Sequence, residues 1–311
     1  MYESFYGLTK SPFANIPDPD CLFLSESHQQ ALSVLKYAIS SRAGFCVITG
    51  NVGAGKTTLV RSLLTSVSSH LEIGLVSNTQ CESFEELMRW ILLAFDLDYH
   101  GKDKIEMYEE LVNYLIEMFN RGRPATLIID EAQHLGADNL EQLRMLSNIN
   151  TEKGLILQTI LVGQPQLWNL LRRPELQQFT QRISYDYYLA PLDDLHTIRS
   201  YIQYRLAFAG ATDQIFEDEA YEEIFESTQG IPRLINLICD TALVYGFAEE
   251  RKSIGVDIIE QVVTDKAISV NAIKPDDTSP VSPSKSGGRK KRRVSGTSTI
   301  ERAVLQRKSG N

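Results

Sequence analysis

The sequence lacks the features that mark secreted, disulfide-stapled or membrane-spanning proteins. Its four cysteines, Cys21, Cys46, Cys81 and Cys239, are far apart and never form a Cys-x-x-Cys pair, so the spacing predicts neither a zinc site nor a redox motif. No run approaches the roughly 18 consecutive apolar residues that a transmembrane helix needs. The first residues show no basic segment followed by an apolar run, which is the pattern of a secretory signal. We therefore expect a cytoplasmic protein with reduced thiols.

Positive charge is scarce in most of the chain. The 311 residues include 31 Lys and Arg against 40 Asp and Glu, for a net charge of -9. Ten of the basic residues but only three of the acidic ones lie from Ser269 onward, so this tail carries about +7 and the rest about -16. An acidic body argues against a broad nucleic-acid-binding face. Only the tail is expected to bind polyanions.

Composition and periodicity divide the chain into four parts. Pro, Gly and Ser replace large apolar residues over 269–311, which predicts a disordered basic tail. Short β-branched runs alternate with helical patterns over 25–190, which predicts an α/β domain with a parallel sheet flanked by helices. Helical patterns alone over 191–268 predict a small all-helical lid domain, and residues 1–24 form a separate N-terminal segment.

The predicted elements follow from these patterns. Buried strands are expected at 45–49, 73–77, 126–129, 156–162 and 185–189. Helices are expected at 106–119, 139–149, 193–209, 218–228, 232–249 and 255–266. Ligands of such sheets bind at the carboxyl ends of the strands.

The strongest motif follows the first strand and opens a helix. It is the complete P-loop pattern G-x-x-x-x-G-K-[ST], formed by Gly50, Asn51, Val52, Gly53, Ala54, Gly55, Lys56 and Thr57 and continued by Thr58. Its glycines allow backbone N–H groups to surround phosphates. Lys56 is expected to contact the β- and γ-phosphates and Thr57 to ligate Mg²⁺. The motif therefore predicts ATP and Mg²⁺ as cofactors; the alternative is a glycine-rich turn that binds nothing.

A second motif ends another apolar strand with two acids, Asp130 and Glu131. Both side chains are expected at the same sheet edge as the P-loop, with Asp130 near the metal and Glu131 polarising the attacking water. His134, shortly afterwards, is interpreted as a surface histidine at a helix start. This pair of acids predicts hydrolysis as well as binding of a nucleotide.

Two further polar residues are candidates for the same site. Gln164 ends the strand ILQTILV and is expected between the P-loop and Asp130, within reach of the γ-phosphate or the attacking water; the alternative is an ordinary polar strand end. Arg233, in Gly230-Ile231-Pro232-Arg233, begins a helix of the lid and is expected to fold over the nucleotide. Its alternative is an ordinary exposed arginine.

With these elements in place, the chain resembles the AAA+ ATPases, and within them the ExeA/GspA-like secretion ATPase family. The likeness is to the short form associated with exopolysaccharide and PEP-CTERM/exosortase loci. It covers roughly residues 1–266. The blocks that carry it are FYGL, PF, PDP and a histidine before the first helix, then GFCVITGNVGAGKTTLVRSLL, LIIDEAQHL, LVGQPQL, QQFTQRI and GIPRLINLICDTAL. The N-terminal signature and GIPRLIN are the specific blocks, since many NTPases share the P-loop.

The resemblance implies roles for the motif residues. Lys56 and Thr57 match Walker A, and Asp130 and Glu131 match Walker B. Gln164 falls at the sensor 1 position, where many AAA+ relatives have Asn or Thr. The resemblance thereby adds expected roles to residues that the motifs had already singled out.

Arginines of the family serve the site from the lid and from a neighbouring subunit. Arg233 matches the sensor 2 arginine. Arg182 resembles the arginine finger supplied to the next subunit's ATP, with Arg172 and Arg173 as rivals. Such a finger implies a head-to-tail oligomer, either a ring or an open spiral.

Two functions are favoured over a third, a nucleotide-dependent scaffold with little turnover, against which Glu131 argues. The first is a motor-like ATPase acting on secretion or polysaccharide-export proteins. The chain lacks the transmembrane helix and peptidoglycan-binding domain of longer family members, so it is expected in the cytoplasm or peripheral to the inner membrane. The alternative is a DNA-binding AAA+ regulator of the transposition-targeting or origin-recognition type. The tail contains five consecutive cations, Arg289, Lys290, Lys291, Arg292 and Arg293. They are expected either to bind anionic lipid or nucleic acid, or to act only as a solubilising linker.

Overall fold

Strands and helices alternate along the chain as far as residue 190, and the described residues from 191 to 267 contain helices without a further strand. The computed structural model describes residues 1–14, 21–66, 71–77, 79–147, 150–151 and 154–267. The strands are β1 (Phe45–Gly50), β2 (Glu72–Val76), β3 (Ala125–Ile129), β4 (Asn150–Thr151), β5 (Gly154–Leu155), β6 (Leu157–Gly163) and β7 (Ile183–Leu189). The helices are α1 (Tyr2–Phe5), α2 (Glu26–Ser40), α3 (Lys56–Ser66), α4 (Phe84–Ala94), α5 (Lys104–Asn120), α6 (Gly136–Leu146), α7 (Gln166–Leu171), α8 (Gln177–Thr180), α9 (Leu195–Phe208), α10 (Asp218–Thr228), α11 (Pro232–Ala248) and α12 (Val256–Asp265). The tail predicted over 269–311 lies outside the described residues.

Five of the strands form a parallel sheet in the order β2-β3-β6-β1-β7, which confirms the predicted fold class. Strands β1, β3 and β6 are buried along their whole length, because helices cover both faces of a parallel sheet. Pairing of Thr49 with Gly163 and of Gly50 with Leu189 brings the carboxyl ends of three strands to one edge. That edge carries the candidate site.

Each face of the sheet has its own apolar core. Side chains of β1 alternate between them, as the pleat requires: Phe45 and Val47 pack in a cluster with residues of α4 to α7, whereas Cys46 and Ile48 pack with α2 and α3. No helix in the described part of the chain has both the length and the apolar character to span a bilayer.

The N-terminal residues pack against the helical lid. Tyr2, Leu8 and Phe13 are buried in the same cluster as residues of α9 to α12. Arg205 of α9 donates to the carbonyls of Pro12 and Ala14 at 2.6 and 3.0 Å. Residues 1–14 are thus tied to the lid, and the chain then returns to the sheet domain through α2.

Several elements differ from the sequence prediction, which did not include α1, α7 or α8. The helix expected at 139–149 runs from Gly136 to Leu146, and β4 and β5 then pair as a short antiparallel hairpin. Helix α4 was not predicted; the Ser83 side chain caps it by accepting a hydrogen bond from the Glu86 N–H.

Candidate functional site

The chain between β1 and α3 forms a tight glycine-rich loop at the carboxyl edge of the sheet. Gly53 and Gly55 have φ values of +79° and +94°, a region that residues with a Cβ rarely adopt. A Cβ on Gly53 would lie 2.5 Å from Cβ of Arg233, and one on Gly55 would lie 2.7 Å from Nε2 of His28. The loop requires glycine at both positions for backbone angle and for space. The result is a backbone cradle of the kind that binds phosphate.

The rest of the predicted motif surrounds this cradle. Gly50 ends β1, where a Cβ would lie 2.9 Å from the Leu189 carbonyl oxygen. Asn51 and Ala54 are buried, while Val52 and Thr58 line the adjacent cavity.

Lys56 begins α3, and its side chain turns back over the loop. Its Nζ donates hydrogen bonds to the carbonyls of Gly50 and Asn51 at 2.9 and 3.0 Å, and the residue is only 6% exposed. Burial lowers the pKa of Lys56, and the negative charges of Glu131 and Asp130 oppose that shift. A buried cation whose partners are mostly loop carbonyls is suited to exchange them for a polyphosphate.

Thr57 and Asp130 form the pair expected to hold a metal ion. The Thr57 hydroxyl donates to Oδ2 of Asp130 at 3.0 Å, and Oδ1 of Asp130 accepts from the Glu131 N–H at 2.9 Å. A hydroxyl beside a buried carboxylate is an all-oxygen donor set, which Mg²⁺ prefers. The residues present therefore fit the ion that the P-loop implies.

Glu131 is held in an uncommon backbone conformation. Its φ is +53°, and such strain in a residue with a side chain tends to persist at functional sites. The Thr79 hydroxyl donates to the Glu131 carbonyl oxygen at 2.8 Å and secures this turn. The strand end therefore turns sharply after Asp130, which places the two acids in different surroundings.

Two glutamines bind the Glu131 carboxylate. The side-chain amides of Gln133 and Gln164 donate to its Oε2 at 2.6 and 3.1 Å. Burial alone would raise the pKa of Glu131, but these two hydrogen bonds and the charge of Lys56 outweigh it and hold the pKa below its ordinary value. The carboxylate is therefore ionised at neutral pH.

Gln133 is a site residue that sequence reasoning missed. Besides holding Glu131, its Oε1 accepts the Gln164 N–H at 3.0 Å. A Cβ on Gly163 would lie 2.9 Å from that same oxygen, so the glycine at the end of β6 leaves room for the amide. The available signal was its position two residues after the Walker B acid. His134, by contrast, is exposed, as predicted.

A cavity of about 420 Å³ opens beside the loop, within the range of small-molecule sites. Glu131 and Gln164 line it from the sheet domain, Phe23 from the N-terminal segment, and Tyr201 and Arg233 from the lid. Arg233 is exposed, and its side-chain stem lies over Gly53. The structure thus brings Glu131, Gln164 and Arg233 to one cavity with part of the predicted P-loop, while Asp130 contacts Thr57 next to it.

Arg182 lies at the opposite edge of the sheet. It immediately precedes β7, whose first residue, Ile183, pairs with Phe45 at the amino end of β1. Its Nη1 donates to Oγ of Ser147 at 3.0 Å. The rivals Arg172 and Arg173 are exposed after α7, so none of the three arginines lines this chain's own cavity.

Comparison with known sequences agrees with this geometry. Residues 39–171 match the family model described as AAA domain. The chain is 39% identical over 249 residues to general secretion pathway protein A of Aeromonas hydrophila, covering 80% of this chain and 45% of that protein. It is 29% identical over 144 residues to ATP-dependent target DNA activator B of Escherichia phage D108, covering 46% of this chain and 43% of that protein. The chain spans less than half the length of these curated relatives.

Solved structures share the fold at low sequence identity. The Aeropyrum pernix ORC2 protein superposes with a TM-score of 0.63 at 19% identity, covering 82% of this chain and 71% of that one. The parallel sheet with its P-loop, the AAA domain match and the 39% identity to a secretion-pathway protein lead to one conclusion. The chain is a member of the AAA+ family, of the type of general secretion pathway protein A.

Proposed function

We propose that this protein hydrolyses ATP in the presence of Mg²⁺. The observation that carries the proposal is the Glu131 carboxylate, which lines the cavity with Lys56 and is kept ionised by two glutamine amides. An ionised carboxylate beside a P-loop suits the activation of a water molecule. Thr57 and Asp130 would hold Mg²⁺, which would supply positive charge to offset the charge on the phosphate oxygens.

Each residue of this chain has a distinct task in the proposed reaction. The loop N–H groups and Lys56 bind the phosphates. Oε2 of Glu131 accepts both glutamine hydrogen bonds, so Oε1 is the atom that accepts the proton of the attacking water. Gln164 holds Glu131 and borders the cavity, so it positions base and water together.

Phosphate release from ATP tests this proposal. The wild-type protein should release phosphate with Mg²⁺ and stop when EDTA is added. Asp130→Asn keeps the shape of the side chain but removes the charge expected to hold the ion, and it should lower the rate by about 100-fold. Absence of phosphate release by the oligomeric wild-type protein in MgATP would contradict the proposal.

We propose further that Arg182 acts in trans in a head-to-tail oligomer. Because Ile183 and Leu189 pair with Phe45 and Gly50, Arg182 is about 20 Å from its own loop at roughly 3.3 Å per strand residue. An arginine side chain does not bridge that distance. The arrangement therefore favours contact of Arg182 with the nucleotide bound by a neighbouring subunit.

Mixing inactive variants tests the shared site. Arg182→Ala and Lys56→Ala proteins should each be inactive. A mixture should regain activity at subunit interfaces where the intact P-loop of an Arg182→Ala subunit faces the intact Arg182 of a Lys56→Ala subunit. A mixture that co-assembles by size-exclusion chromatography yet stays inactive would count against Arg182. Arg172→Ala and Arg173→Ala would then take its place in the same test.

For the biological setting we propose a secretion or polysaccharide-export system, with protein partners in the cytoplasm or at the inner membrane face. The 39% identity to general secretion pathway protein A supports this choice. A DNA-binding AAA+ regulator is the second candidate, favoured by the 29% identity to a phage target DNA activator and by the cationic run at 289–293.

Truncation of residues 270–311 separates these settings. We expect the full-length protein to sediment with anionic liposomes, the truncated protein to stay in solution, and both to hydrolyse ATP at similar rates. DNA-stimulated turnover without liposome binding, with a log–log salt slope of roughly -0.9 per phosphate contacted, would favour the DNA regulator.

A further inference from the structure

His28 lies against the P-loop although it belongs to a different element, the first turn of α2. It is buried, with 5% exposure, and it lines the cavity that contains Lys56 and Glu131. Its Nε2 occupies the space that a Cβ of Gly55 would take, at 2.7 Å. In the sequence this histidine appeared only as part of the N-terminal signature.

The hydrogen bonds of His28 define the state of its ring. The Ser25 Oγ accepts the His28 backbone N–H at 3.4 Å and lies 2.7 Å from Nδ1. Donation by the Ser25 hydroxyl to Nδ1 is the arrangement in which the ring proton lies on Nε2. Burial lowers the pKa of His28, and a hydrogen bond with the Ala54 backbone opposes this shift. A backbone bond that favours the protonated ring is one in which the ring donates, so the acceptor is the Ala54 carbonyl.

That hydrogen bond has a consequence for the cradle. The peptide between Ala54 and Gly55 is trans, and in a trans peptide the C=O and N–H point in opposite directions. A carbonyl turned toward His28 leaves the Gly55 N–H directed away from the ring. The N–H groups of such a loop are the phosphate donors.

We propose that His28 is a positioning residue of the nucleotide site. Its Nε2–H holds the Ala54–Gly55 peptide in the orientation that presents the Gly55 N–H to the nucleotide phosphates, and Ser25 fixes the ring for this task. The proposal rests on the nucleotide binding proposed above. It adds a contact from outside the P-loop on which the loop's conformation depends.

Two amide substitutions separate the roles of the ring nitrogens. The amide nitrogen of Gln reaches the place of Nε2, whereas that of Asn reaches the place of Nδ1. His28→Gln should bind ADP and MgATP within about twofold of wild type, because it keeps a donor to Ala54. His28→Asn should bind them about tenfold more weakly, the effect of one lost hydrogen bond of about 1.4 kcal/mol. His100→Asn, at an exposed site, is the matched control and should not differ from wild type.

Measuring KM and kcat separately distinguishes a positioning role of His28 from a purely structural one. Loss of ground-state contacts should raise KM for ATP in His28→Asn with little change in kcat. A purely structural role would instead lower the active fraction, and hence the apparent kcat, at unchanged KM. Equal affinities of His28→Asn and wild type, or equal weakening by Asn and Gln, would overturn the proposal.

Ser25→Ala provides a second route should His28→Asn not fold. It removes the partner of Nδ1 together with a helix cap, and it should weaken nucleotide binding about threefold. Ser83→Ala removes only the cap of α4 and should leave affinity unchanged; equal affinities of both variants would overturn the proposal. If the wild-type protein binds no nucleotide, the proposed function is refuted as well. If wild type and His28→Asn bind nucleotide equally well, only the role of His28 is refuted.

Discussion

The two walls of the cavity are built on different principles. On the sheet side, polar groups bind one another: Thr57 donates to Asp130, and Gln164 donates to Glu131. On the lid side, Arg233 is exposed and meets the loop through its aliphatic stem above Gly53. The polar groups of the sheet wall are therefore organised before a ligand arrives. On the lid wall Tyr201 and Arg205 are also hydrogen-bonded, but Arg233 presents an exposed charge whose expected partner is the ligand.

The two walls are also anchored in different apolar cores. The sheet wall is anchored in buried strands β1, β3 and β6, so its geometry is fixed by the core. The lid wall is anchored in the separate core of α9 to α12, which also includes Tyr2 and Phe13. Substitutions in the sheet wall should therefore abolish binding or turnover, while substitutions in the lid wall should tune affinity.

The largest effect is expected for Lys56→Ala. The variant loses the buried ammonium at the centre of the loop, and a charge-assisted contact of about 3 kcal/mol corresponds to roughly 100-fold weaker ATP binding. Because burial already disfavours this charge in the empty loop, thermal unfolding should show a folded protein. Calorimetric titration measures the affinity, and wild-type affinity in this variant would contradict the assignment of the loop.

A smaller effect is expected for Gln164→Ala. Loss of its amide removes one of the hydrogen bonds that lower the pKa of Glu131, so the pKa rises and the acid limb of the kcat/KM profile moves to higher pH. At neutral pH kcat should fall about tenfold, because the Glu131 carboxylate loses one of the hydrogen bonds that position it. The exposed Gln166→Ala is the matched control. An acid limb that stays in place or moves to lower pH would contradict the role given to Gln164.

The smallest effect is expected for Arg233→Ala. Its charge is exposed, and exposed ionic contacts contribute about 1 kcal/mol or less, so ATP affinity should fall roughly three- to fivefold. Arg199→Ala, which removes a partly exposed lid arginine paired with Asp218, should leave affinity unchanged. A loss as large as that of Lys56→Ala would contradict the small contribution expected of this exposed arginine.

The sequence was sufficient to predict the site residues that belong to a short local motif. Lys56 and Thr57 follow from a complete eight-residue motif, and Asp130 from an apolar strand that ends in acids. The parallel sheet follows from the same apolar runs. Local spacing defines these features because the strand, the loop and the helix that carry each motif are consecutive in the chain.

The sequence was insufficient where distant segments meet. His28 reaches Gly55 because α2 packs beside α3, and Gln133 meets Gln164 because β3 and β6 are neighbours in the sheet. Burial of Tyr2 in the lid likewise depends on tertiary packing. Helix α4 is a different case, since its Ser83-x-x-Glu86 start carries a recognisable local cap signal.

The most direct test of the account concerns Glu131 as the base. Glu131→Gln keeps the size of the side chain and removes its negative charge, so MgATP should bind within about twofold of wild type while kcat falls by about 100-fold or more. Equilibrium binding of MgATP and phosphate release, measured on the same oligomeric sample, give the two quantities. A variant that binds MgATP and retains the wild-type kcat would contradict the account.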